Sequence, residues 1–137
     1  MMDDKRLEAE KQVLASQLPS NSYRFMDMDT SKPYLVMAAK TSLGNLYTLR
    51  IDIEDFPEMV PNMYVKNKIL LKSGQPILEN DENFKTLCYK DDMIGIRHYS
   101  NESWSPMVPL YHVYIRGKMW LEMYEQYFNS LKNILGL

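Results

Sequence analysis

The spacing of apolar residues changes twice along this chain, and each change marks a change of structure. Residues 3–18 contain no Gly or Pro, are rich in Glu, Lys, Ala, Gln and Leu, and put Leu7, Leu14 and Leu18 on nearly one face. That spacing predicts an amphipathic helix. Pro19 and Ser20-Asn21-Ser22 end it, because proline lacks an amide hydrogen and small polar residues favour turns. Strand-length runs follow at Tyr23-Arg24-Phe25-Met26, Tyr34-Leu35-Val36-Met37 and Leu46-Tyr47-Thr48-Leu49-Arg50-Ile51-Asp52-Ile53. Ser42-Leu43-Gly44-Asn45 is the turn between the second and third, since Gly44 and Asn45 both tolerate positive φ. Pro57 and Pro61 take the backbone out of the sheet before Met63-Tyr64-Val65 re-enters as a fourth strand.

Residues 66–103 read as loop, with polar clusters at Lys72-Ser73-Gly74-Gln75-Pro76, Glu79-Asn80-Asp81-Glu82-Asn83 and Tyr99-Ser100-Asn101-Glu102. A connection of that length in a compact domain is often where function sits. From Val108 the helical period returns, and Trp120, Met123, Tyr124, Tyr127, Phe128 and Leu131 make a broad apolar face, with Gly117 as a break between two helical segments. The expectation is one α+β domain over residues 1–137: an N-terminal helix, a four-stranded antiparallel meander, an irregular region and C-terminal helices.

Several function classes are disfavoured by composition. The 16 basic residues are dispersed among 18 acidic ones for a net charge of −2, so nucleic acid is not an expected partner. No apolar run approaches the roughly 20 residues of a membrane span, and Met1-Met2-Asp3-Asp4-Lys5-Arg6 lacks the apolar core of a secretory signal, which sets the expectation of a cytoplasmic protein away from membranes. With one cysteine and two histidines, no disulfide, metal or other cofactor is expected. Nothing resembles a phosphate-binding Gly-x-x-x-x-Gly-Lys loop.

Cys88 stands alone in the irregular region. Most lone cysteines are small buried hydrophobes. A thiolate, however, is strongly nucleophilic, and its thioester keeps an acyl group activated towards an amine.

The order of elements resembles the ubiquitin-conjugating-enzyme (UBC-like) fold, and ordered motifs accompany it. The run from Tyr47 to Ile53, followed by Phe56-Pro57 and Pro61, resembles that family's third strand and its Tyr-Pro-x-x-Pro-Pro segment. Leu87-Cys88-Tyr89 resembles the Ile-Cys-Leu of the active cysteine, and Trp104-Ser105-Pro106 is identical to the family's Trp-Ser-Pro. Trp120-Leu121-x-x-Tyr124-Glu125-x-Tyr127 resembles the Trp-Leu-x-x-Tyr-Glu-x-Trp signature of bacterial stand-alone conjugating-enzyme-like proteins, which occur in short type II CBASS antiphage operons beside a cGAS-like nucleotidyltransferase. The resemblance covers roughly residues 34–128. It departs from the pattern at the family's His-Pro-Asn, where Leu78-Glu79-Asn80 stands, and in a longer spacing from Cys88 to Trp104.

The resemblance implies a transferase. Cys88 takes a thioester from the C-terminus of a cGAS-like nucleotidyltransferase or a ubiquitin-like protein and passes the acyl group to a lysine-bearing target. Asn80 then stands as the donor to the oxyanion, an interaction that contributes about 3 kcal/mol in other acyl transfers. Asp92, with Asp91 beside it, can orient or deprotonate the incoming amine, and His98 can act as a base. Each also has an ordinary reading, as loop asparagine, solvated acid pair and packed histidine. Two other functions fit the residues: a non-catalytic UBC variant that binds or scaffolds such a partner, and a cysteine hydrolase pairing Cys88 with His98 or His112. Trp104, Trp120 and Tyr124 read as core.

Overall fold

The computed structural model describes residues 2–66, 89–90 and 93–134; at positions 89, 90, 128 and 130–134 it describes the backbone alone. Helix α1 runs Asp4–Gln17. Asp3 caps it, its carboxylate accepting from the Arg6 amide at 2.7 Å. A cap of this kind stabilises a helix by about 1 kcal/mol. After a short 3-10 turn at Ser20–Ser22 the chain enters the sheet: β1 (Tyr23–Met26), β2 (Tyr34–Lys40), β3 (Leu46–Asp52) and β4 (Asn62–Val65). These four are the expected antiparallel meander.

The sheet is wider than the sequence suggested. A hairpin of β5 (Tyr89–Lys90) and β6 (Met93–Ile96) adds two strands, giving the order β1-β2-β3-β4-β6-β5. Within the stretch read as irregular, Met93-Ile94-Gly95-Ile96 is therefore a strand that pairs with β4 through Met63↔Ile96, Tyr64↔Gly95 and Val65↔Ile94. Four residues with a central glycine are too few to reveal an alternating period, so pairing with a long-range neighbour decided this element.

Alternation along the central strands sends Leu35, Met37 and Ala39 of β2, and Leu49 and Ile51 of β3, into one buried face. Across that face lies α2 (Leu110–Ile134), which buries Leu110, Val113, Tyr114, Leu121 and Tyr124. Of the apolar face inferred for this helix, Tyr124 is buried and Trp120 and Tyr127 pack against the core, while Met123 is 66% exposed. A single unbroken helix replaces the two expected segments, and Gly117 lies inside it. The glycine serves close packing: a Cβ there would collide with Met63 Sδ and press on Leu49 Cδ1 at 3.2 Å. Gly117→Val is expected to lower stability by about 1–3 kcal/mol, because overpacking outweighs the gain in helix propensity. A shift of the urea midpoint to lower concentration at unchanged slope is the measurement; an unchanged or higher midpoint contradicts the packing account.

Of the turn residues 42–45, Gly44 alone takes positive φ, at 86°. The turn is clamped from α2: Ser42 donates its amide and hydroxyl to Glu122 at 2.6 and 2.7 Å, while Asn45 Nδ2 and the Tyr47 hydroxyl donate to the buried Glu125 at 2.7 and 2.9 Å. Burial, reinforced by the hydrogen bond to Glu125, pushes the Tyr47 hydroxyl well above the usual tyrosine range, so it stays protonated and donating. Among the described residues no helix is long and apolar enough to cross a membrane.

Candidate active-site cleft

The loop that leaves β3 and the loop that leads into α2 meet at two aromatic side chains. Phe56 is fully buried and meets Trp104 edge-on, with ring centroids 6.1 Å apart. Trp104 Nε1 donates to the Pro57 carbonyl at 2.9 Å, a contact between residues 47 positions apart. Tyr99 packs edge-on against the other side of Trp104 at 5.5 Å, and the Arg116 guanidinium lies 3.8 Å from the centre of the Tyr99 ring. The row continues to α1, where Arg6 sits 4.9 Å above Phe56.

Arg6 ties α1 to the loop before α2. Its guanidinium donates to Pro106 O at 2.6 Å and Val108 O at 3.1 Å, and it pairs with Glu10 at 3.0 Å. The other oxygen of the buried Glu10 accepts from the Leu110 amide at 2.6 Å, satisfying an orphan donor of the first turn of α2. Such a carboxylate also interacts favourably with the positive end of the helix dipole. Both loops are thus held by hydrogen bonds and ring packing rather than by sheet pairing.

Tyr99, the outer ring of this packing, also lines a cleft of about 590 Å³. One wall is the start of β4 with Pro61 and Asn62; the other is the end of β6 with Gly95, then His98, Ser100 and Asn101. Tyr89 of β5 pairs with Ile94, and Gly95 is the next residue along β6. Of the candidate site residues, His98 alone falls in the described part of the chain. Cys88, Asn80, Asp91 and Asp92 lie outside the described residues.

His98 has a defined environment. Its Nε2 is 2.7 Å from the Pro61 carbonyl, which can only accept, so Nε2 carries the hydrogen. Nδ1 is shielded from solvent and has no hydrogen-bond partner among the described residues. Burial depresses the pKa of His98 below the ordinary value near 6.5; the bond to Pro61 opposes that shift, and the charge of Arg116 adds to it. The neutral ring therefore joins the two cleft walls, and its remaining lone pair faces inward. The main-chain oxygen of His98 accepts from Arg116 Nη1 at 3.1 Å, so residue 98 is fixed by both ring and backbone.

A pH dependence follows from this geometry. The folded protein binds fewer protons at His98 than the unfolded chain, so the stabilisation is complete above the unfolded value of about 6.5 and is lost as pH falls through the lower folded value. His98→Gln is expected to flatten the decline of unfolding midpoint as pH falls below about 6.5. An equally steep decline in the variant contradicts this placement of the proton.

Tyr99 and the Pro61 carbonyl are not recognisable as parts of the cleft in the sequence. The signal available was Trp104-Ser105-Pro106, which marked one corner of the frame but not its neighbours. Trp120, expected in the core, stacks parallel on Tyr124 with centroids 6.0 Å apart and remains partly exposed. Comparison with protein-family models, curated proteins and solved structures finds no match.

Proposed function

We propose that the chain is a UBC-like cysteine acyltransferase, acting in the cytoplasm in bacterial antiphage defence of the CBASS type. Cys88 attacks an activated C-terminal carbonyl of a cGAS-like nucleotidyltransferase or ubiquitin-like protein, expels the group that activated it, and holds the acyl group as a thioester. An amine of a lysine-bearing target then attacks that carbonyl, forms an amide and releases the thiol. The donor arrives already activated, because no ATP-binding loop is recognisable in the sequence.

The observation that carries this reading is the position of the cleft relative to the strand that follows Cys88. Tyr89, joined to Cys88 in the chain, pairs with Ile94 in the outermost hairpin, and Gly95 beside Ile94 lines the cleft. Further support comes from the motifs themselves: Phe56-Pro57 and Trp104 are in direct contact, and Glu125 of the Trp-Leu-x-x-Tyr-Glu stretch anchors Asn45 and Tyr47. The α+β layout of helix, antiparallel meander and long C-terminal helix is of the expected kind. The hydrolase alternative draws less support, since His98 Nδ1 is shielded from solvent without a hydrogen-bond partner among the described residues and His112 is an exposed residue of α2.

The test is incubation with a cGAS-like nucleotidyltransferase from a short type II CBASS operon and an activating enzyme, followed by intact mass measurement. A covalent adduct that thiol reductant cleaves, that Cys88→Ala cannot form, and that decays to an amine-linked product is the expected result. Release of a free acid alone points to hydrolysis, and protection against phage retained by Cys88→Ala points to a scaffold; either outcome overturns the transferase reading.

A further inference from the structure

On the far side of the segment 97–99 from the cleft, a second concavity of about 480 Å³ runs along α2. We propose that this groove binds an extended acidic peptide of a partner protein, one in which apolar side chains alternate with carboxylates. The inference goes beyond the thioester chemistry and does not require Cys88.

The floor is apolar and belongs to a single helical stripe. Ile115, Met119 and Met123 recur every fourth residue, so they line up along one flank, with Trp120 beside them. That flank is directed away from the sheet, which α2 meets through Gly117, Leu121 and Tyr124. Met119 is 58% and Met123 66% exposed, although methionine is an apolar side chain with no need of water. Exposed methionines of this kind adapt to the side chains of a bound peptide.

The rim has one sign of charge. Arg97 and Arg116 line the groove, and among the described residues no carboxylate does. The acidic residues of α2 with described side chains are turned elsewhere and engaged: Glu122 accepts from Ser42, and Glu125 accepts from Asn45 and Tyr47. Among the described residues the ion pairs use Arg6 and Arg50, leaving Arg97 and Arg116 without a carboxylate partner. Arg116 is also pre-organised. Its ring contact with Tyr99 and its single bond to His98 O fix the guanidinium while leaving further N–H donors for a ligand. Apolar floor and cationic rim together match a peptide that is both apolar and acidic, and charge complementarity suppresses neutral and basic competitors.

Fluorescence anisotropy with a fluorescein-labelled Asp-Leu-Glu-Leu-Asp-Phe-Glu-Leu peptide tests this. Saturable binding is expected, weakened at least about tenfold when Asn and Gln replace the acids, and by a similar factor when Ser replaces the apolar residues. Arg97→Gln combined with Met123→Ser is expected to reduce affinity by at least about tenfold while leaving the melting temperature unchanged, because both side chains are exposed. Equal affinity for the amide peptide overturns the proposal. So does binding that the double variant leaves intact, or no saturation up to about 1 mM. A concentration-dependent dimer that Met123→Ser abolishes, with no peptide binding, assigns the groove to a second copy and overturns it as well.

Discussion

Cys88→Ala is expected to lower the rate of acyl transfer by at least about 10³-fold, whereas Cys88→Ser is expected to trap the acyl group as an oxygen ester that thiol reductant does not cleave. The asymmetry follows from the chemistry of the two atoms. Alanine has no nucleophile, and removing an attacking group costs acyl-transfer enzymes several orders of magnitude in rate. Serine can still attack an activated carbonyl, but weakly. The ester it forms is a poorer acyl donor than a thioester, because an alkoxide leaves less readily than a thiolate, so the adduct accumulates. With a single cysteine in the chain, no second thiol can substitute. Mass spectrometry of the adducts with and without reductant distinguishes the variants. Transfer by Cys88→Ala at the native rate contradicts the mechanism.

Trp104→Ala is expected to cost about 3 kcal/mol of stability and to impair transfer together with it. The indole fills the space between Phe56 and Tyr99 and donates to Pro57 O, so truncation removes ring packing from both loops and strands a carbonyl acceptor. Trp104→Phe separates the two contributions: it retains most of the ring packing, loses the Nε1 donor, and is expected to cost about 1 kcal/mol. Chemical denaturation gives both values. Loss in Trp104→Phe as large as in Trp104→Ala assigns the effect to the hydrogen bond, and loss in neither contradicts the framing role of this residue.

The first half of the fold is readable in local sequence because its elements are long or sharply bounded. Tyr23 to Met26 is bracketed by turn residues and is found as a strand with those bounds. β2 and β3 are 7 residues each, one a continuous apolar run and the other an alternating one, long enough to stand out as strands. β6 is not readable, since its apolar run of 4 residues is interrupted by Gly95. Gly117 misled for a related reason. A glycine in a helix is ordinarily a weak point, and its packing against Met63 on a strand more than 50 residues earlier is a tertiary fact with no local trace. On α2 the expected face holds at Tyr124, Trp120 and Tyr127 and fails at Met123, which is as apolar as the residues that are truly buried.

For the site, residue type and order carried the expectation, while the contacts carried its geometry. Phe56-Pro57 and Trp104-Ser105-Pro106 were separately conspicuous in sequence, and their direct contact explains why both belong to one frame. His98 was conspicuous as a titratable group, but a histidine in sequence does not reveal which of its nitrogens is occupied. The Pro61 carbonyl settles that point. Asn80 is an expectation from the resemblance and Asp92 one from the chemistry of a carboxylate near a thiol, and both lie outside the described residues.

Acyl relay through Cys88 requires a sulfur that other molecules can reach, and alkylation of the native protein by iodoacetamide measures that reach directly. The expected result is one modification per chain, at Cys88, at a rate in native buffer within about tenfold of the rate in denaturant. Modification that proceeds in denaturant but not in native buffer would show the thiol to be sealed inside the fold, and would contradict acyl relay by this protein.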